Sequence, residues 1–316
     1  MGLKTVVLNS ERMNYDGKLD LSVLSSEVKE YASTEQDQIL ERVQGMDVVV
    51  TKEMPVDGDT IARFPDSVQL ICEAGTGYNN IDIEAARARG ITVCNIPAYS
   101  TERVAHTAIM MILNLSSSMQ IQQAMLARGD RSNFTKCMQV SHVEVNGKVL
   151  GVVGAGNIGR EVIKVAQALG MKVLAYTRTP RADEDNLKYV SLEELLKQSD
   201  YISLHCPLTP QTRHMINKET IAMMKPTAYI INTGRGALID EPALIEALKE
   251  GRIAGAGLDV QETEPPVQDN PLYDMPNVIL TPHMGWKGLE TRQRLVSILA
   301  ANIQAFDEGR PQNVVS

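Results

Sequence analysis

The sequence lacks the features that mark disulfide-rich, membrane-spanning and nucleic-acid-binding proteins. Its 316 residues include only four cysteines, widely separated, and their spacing matches neither a metal site nor a disulfide framework. No apolar run approaches the ~18 residues of a membrane span, and the N-terminus has no signal-peptide core, so we expect a cytoplasmic protein. The formal net charge of −8 argues against nucleic acid or an anionic membrane as a partner.

The apolar content of the chain is sufficient for more than one core. Hydrophobic residues make up 43% of the sequence, and a chain of this length has room for two domains of ~100–200 residues each. No long repeat and no low-complexity segment interrupts it. Cys72 and Cys94 lie in apolar, strand-like runs, where we expect buried free thiols.

A glycine-rich turn near the middle of the chain carries the strongest signal. Gly154, Gly156 and Gly159 form a G-x-G-x-x-G between a buried-strand pattern at 148–153 and a helical pattern at 160–169. A second strand pattern follows at once and completes a strand–helix–strand unit. The first glycine permits the tight turn, the second lets backbone approach a pyrophosphate, and the third lets helix pack on strand. The unit predicts dinucleotide binding, with backbone contacts from Asn157 and Ile158 at the helix start.

Both halves of the chain alternate short β-branched strands with helical stretches, which is typical of parallel sheets covered by helices. We therefore predict an α/β protein of two Rossmann-like, doubly wound parallel-sheet domains with a cleft between them. The predicted strands lie at 5–9, 47–51, 68–74, 91–95, 148–153, 171–176, 201–205, 228–232, 255–260 and 278–281. Predicted helices include 35–44, 83–89, 102–127, 160–169 and 289–306.

The late position of the glycine turn requires a whole domain before it. The last helical pattern has no strand after it, so we expect it to return and cover the first domain. The predicted substrate domain is therefore discontinuous, made of residues 1–99 and 287–316, and residues 100–286 form the dinucleotide-binding domain. The long apolar helix at 102–127 exceeds what one domain needs to cover itself, and it predicts a homodimer.

Seven short segments form a recognisable series along the chain. They are TGYNNID at 76–82, the glycine turn, LHCPLT at 204–209, NTGRG at 232–236, LDV at 258–260, EP at 264–265 and TPH at 281–283. In order and spacing, over almost the whole chain, they resemble the D-isomer-specific 2-hydroxyacid dehydrogenases. Within that family, the segment CNIPAYST and a tryptophan three residues after His283 are most similar to glycerate dehydrogenases, also called hydroxypyruvate reductases. The resemblance implies a nicotinamide-dependent oxidoreductase that reduces a small 2-oxo acid, hydroxypyruvate or glyoxylate, to the D-2-hydroxy acid.

Three residues suit the chemistry of such a reduction, and the resemblance assigns the same roles to them. His283 follows a strand and a rigid Thr-Pro, and a free imidazole titrates at ~6.5, near the working pH of a proton donor. Glu264 is placed to bond the far imidazole nitrogen, and Arg235 offers a planar fork to a carboxylate or carbonyl oxygen. Taken singly, each has an ordinary structural alternative: a structural histidine, a turn residue and a solvated charge.

The remaining contacts are predicted around the substrate and the cofactor. Gly75, Thr76 and Gly77 follow a strand and favour a backbone nest for the substrate carboxylate, with an ordinary tight turn as the alternative. Trp286 is predicted to line the substrate pocket or to pack near the joint between the domains. Further cofactor contacts are predicted at Cys206, Pro207, Thr233 and Asp259.

The segment after the predicted strand at 171–176 predicts which cofactor is preferred. NAD-specific relatives carry an acidic residue about twenty residues beyond the glycine turn, whereas here Thr177, Arg178 and Thr179 occupy that region. Asp183 and Glu184 come too late to take the acidic role. We therefore expect NADP(H) to be preferred. If Arg178 and Arg181 are merely solvated, the alternative is dual specificity or weak selectivity for NAD(H).

Two other functions share these residues. A 3-phosphoglycerate dehydrogenase has the same catalytic set but usually a further regulatory domain, and a co-repressor-like scaffold senses the nucleotide without turnover. The complete set of Arg235, Glu264 and His283 favours the enzyme. The other histidines are given no catalytic role: His106 is predicted on a helix, His142 and His214 in surface loops, and His205 at a strand end beside the cofactor.

Overall fold

The structure of the protein is a computed structural model, and it describes residues 2–179 and 181–316. The chain divides into two compact units, the first formed by Met1–Ser100 and Trp286–Ser316 and the second by Thr101–Gly285. The predicted boundaries differ from this division by one residue at each joint. Ser100 and Trp286, both assigned to the dinucleotide domain from the sequence, lie in the first unit, where the Trp286 ring packs in the core.

The elements alternate strand and helix along both units. The strands are β1 (Lys4–Val7), β2 (Glu27–Glu30), β3 (Val48–Thr51), β4 (Leu70–Glu73), β5 (Thr92–Cys94), β6 (Val149–Val153), β7 (Lys172–Tyr176), β8 (Leu187–Tyr189), β9 (Tyr201–Leu204), β10 (Tyr229–Asn232), β11 (Gly255–Leu258) and β12 (Val278–Leu280). The helices are α1 (Glu11–Asn14), α2 (Ile39–Arg42), α3 (Gly58–Ala62), α4 (Ile83–Ala88), α5 (Thr101–Ser116), α6 (Met119–Ala127), α7 (Ser132–Thr135), α8 (Asn157–Ala168), α9 (Leu192–Gln198), α10 (Lys218–Ile221), α11 (Glu241–Lys249) and α12 (Leu289–Asp307).

The first unit is built on a parallel five-stranded sheet in the order β2-β1-β3-β4-β5. Successive strand residues point to opposite faces, so Val48 and Val50 enter one core and Val49 enters the other. The apolar stripe of α12 packs in the first of these cores through residues such as Leu295 and Leu299. The last helix therefore covers the first sheet, as its position in the sequence predicts.

The second unit is built on a parallel seven-stranded sheet in the order β12-β11-β10-β9-β6-β7-β8. This is the Rossmann strand order with an additional strand beyond β11, and the order reverses between β6 and β9. Ligands of open α/β sheets bind at the carboxyl ends of the strands where the order reverses. The prediction of two parallel α/β sheets is confirmed.

Some predicted elements are wrong or were missed. The single helix at 102–127 is two helices, because the run of serines Ser116–Ser118 ends α5 and Ser118 takes a left-handed φ of 48°. The helix at 35–44 is a 3₁₀ turn followed by the short α2. The edge strands β2 and β8 were missed, since an edge strand such as the largely exposed β2 lacks a continuous apolar run.

Two further properties follow from the fold. Within the described part of the chain, no helix is both long and apolar enough to span a membrane. Cys72 and Cys94 are buried free thiols, as predicted, and stand opposite each other on β4 and β5. Burial raises the pKa of Cys94 to about 11, so its reactive thiolate form is scarce near neutral pH.

Candidate active site

The glycine turn lies at the carboxyl end of β6, where the order of the second sheet reverses. Gly154 takes a φ of +99°, and a Cβ there would lie 2.6 Å from the backbone nitrogen of Cys206. Only glycine therefore fits between the turn and the segment that follows β9. The close approach places Gly154 beside Cys206 at the predicted cofactor edge.

The start of α8 has the free donors that a pyrophosphate needs. Gly156 is its N-cap and makes no side-chain cap, which leaves the first helical N–H groups, those of Asn157 and Ile158 among them, without a capping acceptor. A Cβ on Gly156 would have no heavy atom within 4 Å, so the space before the helix is open. The turn, the open space and the uncapped helix fit a dinucleotide at this position.

The segment after β7 presents the residues predicted to select the cofactor. Thr177 Oγ1 donates to Thr179 O at 2.7 Å, while Arg178 and Thr179 are exposed. Glu184 forms an ion pair with Arg160 of α8 at 3.1 Å. Sequence reasoning missed this pair because it depends on how the segment between β7 and β8 lies against the start of α8.

Residues at the ends of β9 and β10 line the same carboxyl edge. Cys206 Sγ lies 3.6 Å from Met215 Sδ, and Pro207 follows it in the same loop. Thr233 is buried directly after β10, and its Oγ1 has no hydrogen-bond partner among the described residues. A buried hydroxyl without a partner is costly, so a cofactor group bonded to Thr233 would satisfy it.

His283 and Glu264 are brought together by the loops that follow β11 and β12. Glu264 Oε2 lies 2.8 Å from His283 Nδ1, and its Oε1 accepts from the backbone N–H of Gln261 at 3.1 Å. His283 adopts a left-handed φ of 47°, and its backbone N–H donates to Asp259 O at 2.8 Å. The carboxylate fixes which imidazole nitrogen faces it, so Nε2 is left for a substrate.

Asp259 holds the loop that carries His283. Its Oδ1 accepts from Thr281 Oγ1 at 2.5 Å and from the N–H of Met284 at 2.8 Å, and its Oδ2 accepts from the N–H of Gly285 at 2.8 Å. Sequence reasoning assigned Asp259 to the cofactor and missed this positioning role. A carboxylate directly after a buried strand was the available signal. The cofactor contact of Asp259 stays a prediction.

Arg235 lies on the turn after β10, half-buried. Its Nη1 donates to Gly234 O at 2.9 Å, and Asn232 Nδ2 donates to Arg235 O at 2.9 Å, which fixes the turn. No carboxylate of the described residues forms an ion pair with Arg235, so its remaining donors are available. The next residue, Gly236, packs so closely that a Cβ would lie 1.8 Å from Gln261 O, which brings this turn against the loop leading to Glu264.

The predicted carboxylate loop belongs to the first unit and is anchored to the end of β5. Ile96 N–H donates to Gly75 O at 2.9 Å, Thr76 Oγ1 donates to Ile96 O at 2.9 Å, and Asn95 Nδ2 donates to Thr76 O at 2.8 Å. The N–H groups of Thr76 and Gly77 donate to none of the residues that the structure describes. These donors suit an anion.

The remaining residues named from the sequence are Trp286 and the four histidines other than His283. Trp286 is 5% exposed and packs in the core of the first unit, which favours the packing alternative over a wall of the pocket. His214 lies in a partly exposed turn, as predicted, and its Nε2 lies 2.6 Å from Glu262 Oε1. His205 Nε2 lies 2.8 Å from Ser203 Oγ, and burial lowers the pKa of His205 to about 4, so the ring is neutral near pH 7. His106 and His142 are exposed.

Comparison with known proteins agrees with this geometry. Residues 109–285 match the model of the D-isomer specific 2-hydroxyacid dehydrogenase, NAD binding domain. The chain is 41% identical over 287 residues to a hydroxypyruvate reductase of Blautia hydrogenotrophica, covering 90% of this chain and 89% of that protein. It is 42% identical over 294 residues to a glycerate dehydrogenase of Methylorubrum extorquens, with 92% of each chain covered.

A solved structure shares the fold over the whole chain. The crystal structure of a glyoxylate reductase from Paecilomyes thermophila superimposes with a TM-score of 0.85 at 32% identity, covering 99% of this chain and 98% of that one. Together, the matched model, the relatives and the shared fold assign a nicotinamide dinucleotide to the second unit. The chain belongs to the D-isomer-specific 2-hydroxyacid dehydrogenase family of nicotinamide-dependent oxidoreductases.

Proposed function

We propose that the protein reduces a small 2-oxo acid, hydroxypyruvate or glyoxylate, to the D-2-hydroxy acid with NAD(P)H. The observation that carries the proposal is the 2.8 Å bond between His283 Nδ1 and Glu264 Oε2 at the carboxyl edge of the sheet that holds the glycine turn. The names of the similar proteins, hydroxypyruvate reductase, glycerate dehydrogenase and glyoxylate reductase, support the substrate class.

The chain's own residues supply the proton and the charge. The nicotinamide cofactor, when bound, supplies the hydride. His283 donates a proton from Nε2 to the substrate oxygen as negative charge develops there. Glu264 holds the imidazole through Nδ1, which leaves Nε2 facing the substrate. Arg235 polarises the carbonyl oxygen and binds the carboxylate through its unpaired donors.

Substrate carboxylate binding is also proposed for the loop Gly75, Thr76 and Gly77. Its support is the set of N–H groups that donate to none of the described residues and the bonds that fix the loop to Asn95 and Ile96. Such a loop binds a carboxylate without a reorganisation cost.

The direct test is the loss of reduced-nicotinamide absorbance in the presence of a 2-oxo acid. Hydroxypyruvate, glyoxylate, pyruvate and 3-phosphohydroxypyruvate are each offered with NADPH and with NADH. Rapid oxidation with hydroxypyruvate or glyoxylate supports the proposal. Preference for 3-phosphohydroxypyruvate would favour the phosphoglycerate reaction, and silence with all four together with tight nucleotide binding would favour a nucleotide-sensing scaffold.

The proton-donor role predicts a large loss of turnover on removing the imidazole. His283→Ala should lower kcat by about 10²–10⁴-fold, the usual contribution of general acid–base catalysis, with NADPH affinity unchanged. His106→Ala is the matched control, because His106 is exposed on α5. Unchanged turnover in the His283 variant would reject the assignment.

The cofactor preference is proposed to be for NADP(H). Thr177 stands where a carboxylate would repel a 2′-phosphate, and the exposed Arg178 is available to attract it. Thr177→Asp should shift the ratio of kcat/KM for NADPH over NADH toward NADH, because the new carboxylate accepts bonds from ribose hydroxyls. A ratio that does not move would show that this segment does not select the cofactor.

A homodimer and a cytoplasmic location complete the proposal. Large apolar side chains are exposed along α5, α6 and the segment that follows, an arrangement suited to contact with a second copy of the chain. They are Leu113, Met119, Leu126, Phe134 and Met138. The cytoplasmic location stays a prediction of the sequence.

A further inference from the structure

Lys52 is a buried cation that the catalytic set does not use. It follows β3 in the first unit, its side chain is 2% exposed, and its Nζ lies 2.5 Å from Glu53 Oε1. Nζ also lies 4.2 Å from the centre of the Trp286 ring. Burying an ammonium is costly unless its donors are satisfied, so the position of this lysine requires an explanation.

The first sheet places Lys52 where open α/β sheets bind ligands. The order β2-β1-β3-β4-β5 reverses between β1 and β3, and Lys52 stands at the carboxyl end of β3 beside that point. The side chain of Asn9, just beyond β1, forms two hydrogen bonds with the backbone of Lys52. Asn9 Nδ2 donates to Lys52 O at 2.7 Å, and Lys52 N donates to Asn9 Oδ1 at 2.9 Å. The backbone of Lys52 is therefore held rigidly at the switch point.

The ammonium lies against the proposed carboxylate loop. A Cβ on Gly75 would lie 3.2 Å from Lys52 Nζ and 3.1 Å from Glu73 Oε1, so the cation and the Glu73 carboxyl both stand beside the first residue of the loop. Burial raises the pKa of Glu73, which disfavours a full negative charge there. Glu73 fixes both strand ends, accepting from Thr51 Oγ1 at 2.8 Å, from Glu53 N at 2.9 Å and from Asn80 Nδ2 at 2.9 Å. The strand ends that carry Lys52 and the loop are thus tied together.

The ammonium keeps donor capacity. A lysine has three N–H donors, and among the described residues Glu53 accepts the one hydrogen bond from Nζ. The indole offers its face as a second, weaker partner. Trp286 Nε1 is buried and has no acceptor among the described residues, so packing and this cation contact hold the ring. Glu53 is 38% exposed, so water is able to solvate it when its partner turns to another anion.

We infer that Lys52 is a further substrate-binding residue. Its buried ammonium supplies positive charge beside the Gly75–Gly77 loop. When the 2-oxo acid enters, the ammonium leaves its ion pair with Glu53 and pairs with the substrate carboxylate. Trp286 acts through Lys52 as the apolar wall that keeps the cation in place. The inference rests on the proposed function, because it takes the 2-oxo acid as the anion that the loop binds.

Three variants separate this role from a structural ion pair. Lys52→Met keeps the apolar stem against Trp286 and removes the charge, so KM for glyoxylate should rise about tenfold or more, with a smaller change in kcat and unchanged NADPH affinity. Glu53→Gln removes the competing carboxylate, so KM should fall by about two- to fivefold. Lys4→Met is the matched control, since Lys4 is an exposed lysine paired with Glu27 in the same unit.

A binding measurement without turnover completes the test. Trp286 is the single tryptophan of the chain, so its fluorescence reports on the surroundings of Lys52. Titration of the full chain with oxamate, an unreactive 2-oxo acid analogue, should give a saturable change, weakened about tenfold in Lys52→Met, tightened in Glu53→Gln and unaltered in Lys4→Met.

The outcomes distinguish the two proposals. If the wild type reduces 2-oxo acids and Lys52→Met leaves KM and oxamate affinity unchanged, the Lys52 inference is wrong while the proposed function stands. If Lys52→Met and Glu53→Gln both weaken the binding of oxamate and both lower the melting temperature, the ion pair is structural and the inference is again overturned. If the wild type binds oxamate with the expected order of affinities but reduces no 2-oxo acid, anion binding by Lys52 is supported and the proposed function fails.

Discussion

Single residues at the strand ends acquire their chemistry from neighbours that the sheet brings to them. His283 and His205 both follow strands of the second unit, yet their surroundings differ. His283 faces the carboxylate of Glu264, whereas His205 is partly buried beside the Ser203 hydroxyl, and desolvation lowers its pKa to about 4. The first arrangement suits a proton donor, and the second keeps an imidazole neutral beside the cofactor turn.

The partly buried His205 predicts a pH dependence of stability. Its folded pKa, about 4, lies below the ~6.5 of a free imidazole, so the unfolded chain binds more protons between these values. The free energy of unfolding should therefore fall as pH drops from ~6.5 toward ~4, by about 3 kcal/mol in all.

Urea unfolding of the wild type and of His205→Gln, compared across this pH window, isolates the effect from other titrating groups. The variant should lose less stability than the wild type as the solution is acidified. Parallel curves for the two proteins would contradict the assignment.

At the scale of elements, the contact between α8 and β6 determines where the dinucleotide can lie. The helix begins uncapped at Gly156, and Gly159 packs so tightly that a Cβ would lie 2.0 Å from Gly154 O. The two glycines therefore have different purposes: one leaves room for a ligand, and the other leaves room for the protein itself.

Because of this difference, we expect a glycine-to-alanine substitution to affect mainly cofactor binding at Gly156 and mainly fold stability at Gly159. Gly156→Ala should change stability by no more than about 1 kcal/mol, because nothing lies within 4 Å of the new methyl group. It should weaken NADPH binding about tenfold or more, since the methyl group occupies the pyrophosphate space. Gly159→Ala should destabilise the fold by about 1–3 kcal/mol, because backbone must move. Thermal unfolding measures the stability of each variant, and NADPH fluorescence titration measures its cofactor affinity. Equal losses of stability in the two variants would contradict the distinction.

At the scale of the whole molecule, the exposed apolar residues on α5, α6 and the segment after them predict the oligomer. Phe134 is 74% exposed, a large aromatic surface to leave in water. The native mass by light scattering should be twice the chain mass of 34.7 kDa. Phe134→Asp combined with Leu126→Asp should shift the protein toward the single-chain mass, while Tyr273→Asp, also at an exposed aromatic, should not. A wild-type mass of one chain would reject the dimer.

The sequence was most informative where a residue's role depends on its immediate neighbours. The glycine turn and the strands around it follow local rules, because turn geometry and apolar periodicity act over a few residues. The break between α5 and α6 was missed, because the sequence remains apolar on both sides of the serines.

The sequence by itself determined the two α/β sheets, the family and the residues expected to perform the chemistry. Only the tertiary structure decided the strand order, the loop fixed by Asp259 and the position of Lys52 beside Gly75. The physical reason is distance along the chain. Parallel strands are joined by long crossovers, so groups at their carboxyl ends meet only after the sheet has formed.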